Sequence, residues 1–262
     1  DRRELSYLIA STKRYIKRKI RWRAGQEREF RETINRVDLF WGLSDIEYNF
    51  LKKEYSNLPN FIQTPYIMKE FINPSEIIKK NIVILGHSRY IYNNHLDLLD
   101  IVSKATKRKD YVFYMFFSYG PNKSYAKKVR KEANKINKIK IIEQFLPKEE
   151  FSNIYKQASA FVMNGYRQIG MGNVMESIRN GVKVYLNTRN IMYHWLKKEE
   201  FSVHTIEDFA SDIESNKLKL SMEEMFHNIE KYKDLSVKYS VEEFHKKIIL
   251  SANEKKMTKN NT

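Results

Sequence analysis

Ala160-Phe161-Val162-Met163-Asn164-Gly165-Tyr166-Arg167-Gln168-Ile169-Gly170-Met171-Gly172-Asn173 opens on an apolar run and closes on a glycine-bearing turn. The first four residues read as a buried strand, and Val174 to Asn180 read as a helix. Two of the chain's eight glycines sit in the turn, at Gly170 and Gly172, where a ligand could approach the main chain closely. The first amides of a helix have no partner within it, and the helix dipole favours an anion there. With Arg167 alongside, the segment reads either as a grip for the diphosphate of a nucleotide sugar or as an ordinary strand-to-helix connection.

The same rhythm extends outward from this segment. From Asn81 onward, short apolar runs read as strands: Ile82–Leu85, Tyr111–Phe117, Ile139–Ile142, Ala160–Met163, Val182–Leu186 and Phe201–His204. Helical patterns fall between them at Asn94–Lys107, Ser124–Ile136, Lys148–Gln157, Asn173–Asn180 and Ile191–Lys198. Strands alternating with helices predict an α/β fold, a Rossmann-like parallel sheet covered on both faces. The largely apolar character of the strands fits that cover. Upstream, residues 1–34 read as one long helix and Val37–Trp41 as a short strand. Ser44 with Glu47 forms a capping-box pattern ahead of a helix to Tyr55, and Phe61–Met68 is extended. Residues 205–251 read as helices, and the polar tail from Ser251 to Thr262 reads as disordered.

In a sheet of this kind, ligands collect at the carboxyl ends of the strands. Three loops at that edge are rich in Ser, Asn, Tyr and Gly: Gly86–His95, Ser118–Asn122 and Asn164–Gly172. Ser88, Asn93, Asn94, Ser118, Tyr119, Gly120, Gln168, Gly170, Gly172 and Asn173 are therefore the candidate donor-binding residues. Asn93 and Asn94 also sit where a helix cap belongs. His95 reads as a phosphate donor or an acid, or else as a structural histidine. Arg167 reads as the phosphate cation. Glu176 either accepts from ribose hydroxyls or complements the helix dipole. Tyr119 and Tyr125 are placed to flank a base or sugar, and Asn187 reads as a turn former.

Several classes are excluded. There is no cysteine, hence neither disulfides nor thiolate metal sites. No Walker-type glycine loop occurs, and the glycines after the first sheet strand do not follow the dinucleotide fingerprint. No Asp-x-Asp pair or ligand-spaced cluster suggests a metal, so the expected chemistry is metal-independent, with the nucleotide sugar as substrate rather than cofactor. The longest apolar run, Tyr111 to Phe117, is far shorter than the ~20 residues a bilayer span needs. The net charge is +16, and nine of the fifteen arginines lie in residues 1–36. Between Leu5 and Gln26 there is no acid, and Leu5, Leu8, Ile9, Ile16 and Ile20 recur at helical spacing among the basic residues. Such a segment suits an anionic membrane surface or is the solvated face of a docked helix. Nucleic acid is not expected, because no helix-turn-helix, zinc-finger or RNP-like pattern accompanies the charge.

Three segments in order carry a family resemblance: Ser88 to His95 with Asn93-Asn94-His95, then Phe117-Ser118-Tyr119-Gly120, then Arg167-Gln168-Ile169-Gly170-Met171-Gly172-Asn173. They resemble the bacterial TDP-N-acetylfucosamine:lipid II N-acetylfucosaminyltransferases, glycosyltransferase family 56, whose members assemble enterobacterial common antigen. Ile169 and Met171 stand where that pattern has Gln and Leu. The likeness runs from about Asn35 to Phe209. It implies a two-domain GT-B enzyme with a TDP-sugar donor and a polyprenyl-diphosphate-linked glycan acceptor. It also implies a cytoplasmic location, peripheral on the inner face of the bacterial cell membrane. On this reading residues 1–75 are a basic helix and the end of an incomplete acceptor-side domain. Residues 76–205 are the donor domain, 206–251 C-terminal helices and 252–262 a tail. His95 and Arg167 become the residues nearest the chemistry.

Overall fold

The computed structural model describes residues 27–64 and 77–260, together with Thr12, Ile16, Gly25 and Asn73. Most of the basic helix expected over residues 1–34 lies outside these. Its end, Glu27–Ile34, is helical (α1). The chain forms two compact units, one of residues 1–64 with 244–262 and one of residues 65–243.

In the first unit, β1 (Leu39–Gly42) pairs in parallel with β2 (Asn60–Gln63), Leu39 opposite Asn60. Between them runs α2 (Asp45–Glu54), whose start is fixed by the Ser44 hydroxyl accepting from the Ile46 and Glu47 amides at 3.1 and 3.4 Å. Tyr48 stacks on Phe61 with ring centres 5.0 Å apart and donates its hydroxyl to the Pro59 carbonyl at 2.9 Å. The last helix, α10 (Val241–Asn260), spans most of the tail whose polarity predicts disorder.

The second unit is built on β3 (Ile82–Leu85), β4 (Val112–Phe116), β5 (Ile139–Ile142), β6 (Ala160–Met163), β7 (Lys183–Leu186) and β8 (His204–Thr205). Their order is β5-β4-β3-β6-β7-β8, and every pairing is parallel. The chain therefore starts mid-sheet at β3, steps outward to β5, and crosses back to lay β6 against β3, with Leu85 opposite Val162. That reversal is the topological switch point, where crevices form in open α/β sheets. β6 and β7 are buried along their whole length; β6 is apolar throughout, whereas Lys183 and Tyr185 of β7 are buried with a shared partner, Asp212.

The connecting helices are α3 (His95–Lys104), α4 (Ser124–Ala133), α5 (Lys148–Gln157), α6 (Met171–Arg179) and α7 (Ile191–Lys198). They are followed by α8 (Ile206–Glu214) and α9 (Met222–Lys238). Several boundaries shift by one to three residues from expectation, and two of the shifts have a plain local cause. α6 begins two residues before Asn173 because Gly170 takes the left-handed conformation, φ +66°, as its N-cap. β8 is held to two residues because Thr205 caps α8. Its hydroxyl accepts from the Asp208 amide at 3.0 Å, and the Asp208 carboxylate accepts from the Thr205 amide at 2.8 Å. Among the described residues no helix is long and apolar enough to cross a membrane.

Candidate functional site

The loops after β3, β4 and β6 interlock, and glycine is what lets them. Gly86 leaves β3 at φ +68°, and a Cβ there would lie 2.7 Å from His95 Nε2. Gly120, at φ +108°, backs onto Tyr90, whose amide would lie 3.1 Å from an added Cβ. The β3 and β4 loops are also joined by the Arg89 amide donating to the Tyr119 carbonyl at 2.8 Å. Gly170 presses on His87, and a Cβ built there would lie 3.0 Å from its Nδ1. The three loops singled out in the sequence thus meet across the switch point.

Asparagines knit the arrangement. Asn93 is fully buried, accepts from the His87 amide at 3.3 Å, and donates to the Ser88 hydroxyl at 3.0 Å and the Tyr90 carbonyl at 3.2 Å. Asn94 occupies the N-cap position of α3 at φ 48°, but its side chain crosses to the Asn164 carbonyl at 2.8 Å instead of capping. Asn164 accepts from Asn187 at 2.7 Å. Asn190 donates to the Gly165 and Arg167 carbonyls, both at 2.8 Å, while its oxygen caps the Met192 amide at 3.0 Å. These amides hold the loops. Asn164 and Asn190 were not singled out in the sequence. An N-cap pattern marks Asn190, but nothing in it foretells the bonds to the β6 loop.

The sequence candidates divide. His95 is fully buried beneath Gly86, and burial together with nearby His87 pushes its pKa down to about 3. It is a neutral interior group, so the structure does not bring it to the loop surface. The Tyr125 hydroxyl accepts from the His95 amide at 2.9 Å and so caps α3. Asn173 donates its side chain to the Tyr155 hydroxyl at 2.7 Å and its amide to the Gly170 carbonyl at 2.9 Å. Its backbone amide is therefore already engaged within the turn. Glu176 Oε1 accepts from Arg179 at 2.5 Å, Asn180 at 2.9 Å and Ser152 at 3.4 Å. Ser88 is fully buried, and Ser118 is half-buried.

What faces outward is different. Arg167 is exposed, with its guanidinium over the Tyr92 ring 4.8 Å from the centre. Tyr119 stacks on Phe145 with ring centres 6.1 Å apart and planes at 9°. Gly172 is exposed in the first turn of α6. The Met171 and Gly172 amides carry no hydrogen bond among the described residues, and α6 has neither a capping side chain nor an acid in its first turn.

Buried polar atoms without partners concentrate here. Among the described residues five of them, His87 Nδ1, Arg89 Nε, His95 Nε2 and both amide atoms of Gln168, lie in the β3 and β6 loops and the start of α3. Leaving such a group unpaired costs roughly 1–3 kcal/mol, so a cluster of them marks a place where something else completes the bonding. A cavity of about 690 Å³ between α3 and α4, lined by Leu96, Leu99, Lys128 and Ile136, involves none of the three loops.

Solved structures share this architecture. The pneumococcal O-GlcNAc transferase GtfA, in complex with UDP and GlcNAc, superposes with a TM-score of 0.58 at 13% identity, over 84% of this chain and 46% of its own. A trehalose-6-phosphate synthase gives 0.62 at 11%, over 88% and 64%. WaaG, a glycosyltransferase involved in lipopolysaccharide biosynthesis, gives 0.55 at 15%, over 80% and 62%. The fold is that of the GT-B glycosyltransferases. At these identities the likeness establishes the fold alone, and the chain spans only 46–64% of the length of these structures. No protein-family model and no curated protein matches the sequence.

Proposed function

We propose that this chain is the donor-binding part of a glycosyltransferase that uses a nucleotide sugar. One observation carries the reading: an uncapped helix N-terminus, an exposed arginine and a cluster of buried unpartnered polar atoms coincide at the switch point of a GT-B sheet. The Met171 and Gly172 amides and Arg167 receive the diphosphate, neutralising the charge that builds on the leaving group. Gln168 lies beside them. Glu176 Oε1 is spent on its neighbours, which leaves Oε2 for a ribose hydroxyl. Tyr119, on its Phe145 partner, provides a face for the base or sugar.

The finer reading is a TDP-linked deoxyamino sugar, resembling 4-acetamido-4,6-dideoxygalactose, moved to a polyprenyl-diphosphate-linked glycan at the inner membrane face. The family resemblance of the three loops supports it. Since His95 is interior, any base that activates the acceptor comes from outside these loops.

Calorimetric titration with TDP and UDP tests the donor site. Arg167→Ala should weaken TDP at least tenfold, about 1.4 kcal/mol, with the melting temperature unchanged. Equal affinity in the variant removes Arg167 from the site. Radiolabelled TDP-sugar incubated with a lipid extract tests transfer, and nucleotide binding without labelled lipid would leave a binding module rather than an enzyme.

A further inference from the structure

The stretch from Lys104 to Lys140 holds twelve of the chain's 48 basic residues and two of its 32 acids. A lysine-rich composition alone would scatter acids among them, so the depletion marks a face. The stretch takes in the end of α3, the turn Thr106–Asp110 and the whole of α4. Acids near it are already engaged: Asp100 by Lys104 at 2.6 Å and Glu132 by Lys135 at 2.7 Å. Lys107, Lys109, Lys123, Lys127, Lys128 and Lys131 are exposed and form no salt bridge among the described residues. Lys127 and Lys131, four apart, share one outer strip of α4.

The face is not polar throughout. The groove of about 690 Å³ between α3 and α4 has Leu96, Leu99 and Ile136 in its walls, with Arg108, Lys109, Lys128 and Lys138 around them. Charge and groove together define the partner. Ten of the twelve basic residues are lysines, point charges that meet a phosphate surface without the bidentate fork that arginine brings to nucleic acid. The large apolar side chain that this stretch exposes, Tyr119, lies at the carboxyl edge, so the lysine face has no platform for stacked bases. A polyanion without an apolar part would leave the groove walls unfilled. A phospholipid brings both an anionic headgroup and hydrocarbon, and exposed lysines are drawn to an anionic leaflet within a Debye length of it.

We propose that this face docks on an anionic lipid bilayer, headgroup phosphates meeting Lys109, Lys128 and Lys131 and the glycerol end of one lipid entering the groove between α3 and α4. The inference goes beyond the donor-site reading, because the groove involves none of the three loops. It is also separate from the basic segment near the N-terminus, since every residue it uses belongs to the unit that carries the six-stranded sheet.

The test uses the full chain and vesicles of equal parts phosphatidylglycerol and phosphatidylcholine, with pure phosphatidylcholine vesicles and a single-stranded oligonucleotide as the other arms. The chain should float with the anionic vesicles, stay behind with the neutral ones, and release as salt is raised. Lys109→Glu, Lys128→Glu and Lys131→Glu together should lower the partition coefficient at least tenfold, at an unchanged melting temperature. Lys53→Glu, Lys197→Glu and Lys219→Glu, the same charge change at exposed lysines elsewhere, should cost less than threefold. Should the first triple variant fail to fold, the three Lys→Ala changes carry the test, with a threefold or greater loss expected. Methyl resonances of Leu99 and Ile136 should shift as short-chain phosphatidylglycerol is added, and unmoved methyls overturn the groove's part. Equal flotation with neutral vesicles, wild-type flotation of the face variant, or an equal loss in the control variant overturns the docking face. Oligonucleotide binding that the face variant loses, with vesicles ignored, reassigns the face to nucleic acid. None of these outcomes touches the donor site, which TDP titration tests by itself.

Discussion

The sheet buries polar side chains at both of its edges and finishes them differently. At the amino end of β7, Lys183 is 7% exposed and donates to the Asp212 carboxylate at 2.7 Å and the Lys217 carbonyl at 3.1 Å. Tyr185 donates to the same carboxylate at 2.8 Å. At the carboxyl end of β3 and β6, His87, Arg89 and Gln168 are left with unpaired atoms. The first set ties α8 to the sheet and is complete. The second lies between loops that the asparagines already hold. Buried polarity with partners builds the fold at the first edge, and the unpaired atoms at the second coincide with the proposed donor site.

The largest effect that would break this contrast is at Lys183. Lys183→Met strands Asp212 in a part-buried site and should cost about 3 kcal/mol in urea denaturation, while TDP affinity of the folded variant stays unchanged. A variant as stable as wild type would mean that the amino-edge cluster is not structural. Next comes pH. Burial holds the His87 and His95 pKa values at about 4 and about 3, below the ordinary 6.5. The unfolded chain therefore binds more protons below pH 6.5. Stability is full above that pH and falls as pH drops toward 4. Between pH 7.5 and 5 each histidine should cost about 2 kcal/mol, and His95→Phe should flatten the urea-midpoint profile by about half. An unchanged slope would place the titration elsewhere. The smallest effect is at Asn190. Asn190→Ala frees two loop carbonyls and removes a cap, for about 1–2 kcal/mol, and should also weaken TDP because the β6 loop loosens. Lost stability with TDP affinity intact would separate that loop from the site.

Much of the architecture was legible because burial on both faces writes a plain signal. Ile82–Leu85, Ile139–Ile142 and Ala160–Met163 read as strands with the bounds they adopt, as do the helices Lys148–Gln157 and Ile191–Lys198. The start of α6 was misread because the left-handed turn at Gly170, not the polar Asn173, sets it. The site was legible as a place but not as a set of contacts. Polar loop residues look alike in a sequence whether their side chains face ligand or protein. Asn93 and Asn94 proved to spend their side chains on other loop atoms, whereas His87, Arg89 and the interior His95 kept unpaired atoms. That distinction depends on which loops press together, a long-range fact that local pattern does not hold.

The switch point carries a consequence for assembly. Gly86 and Gly170 come from distant parts of the chain, and their loops face one another only after β6 has docked on β3. A sheet stalled at β3–β5 presents no anion cradle at all. On the proposed reading, a nucleotide stabilises only the finished crossover, a closure between segments far apart in the chain.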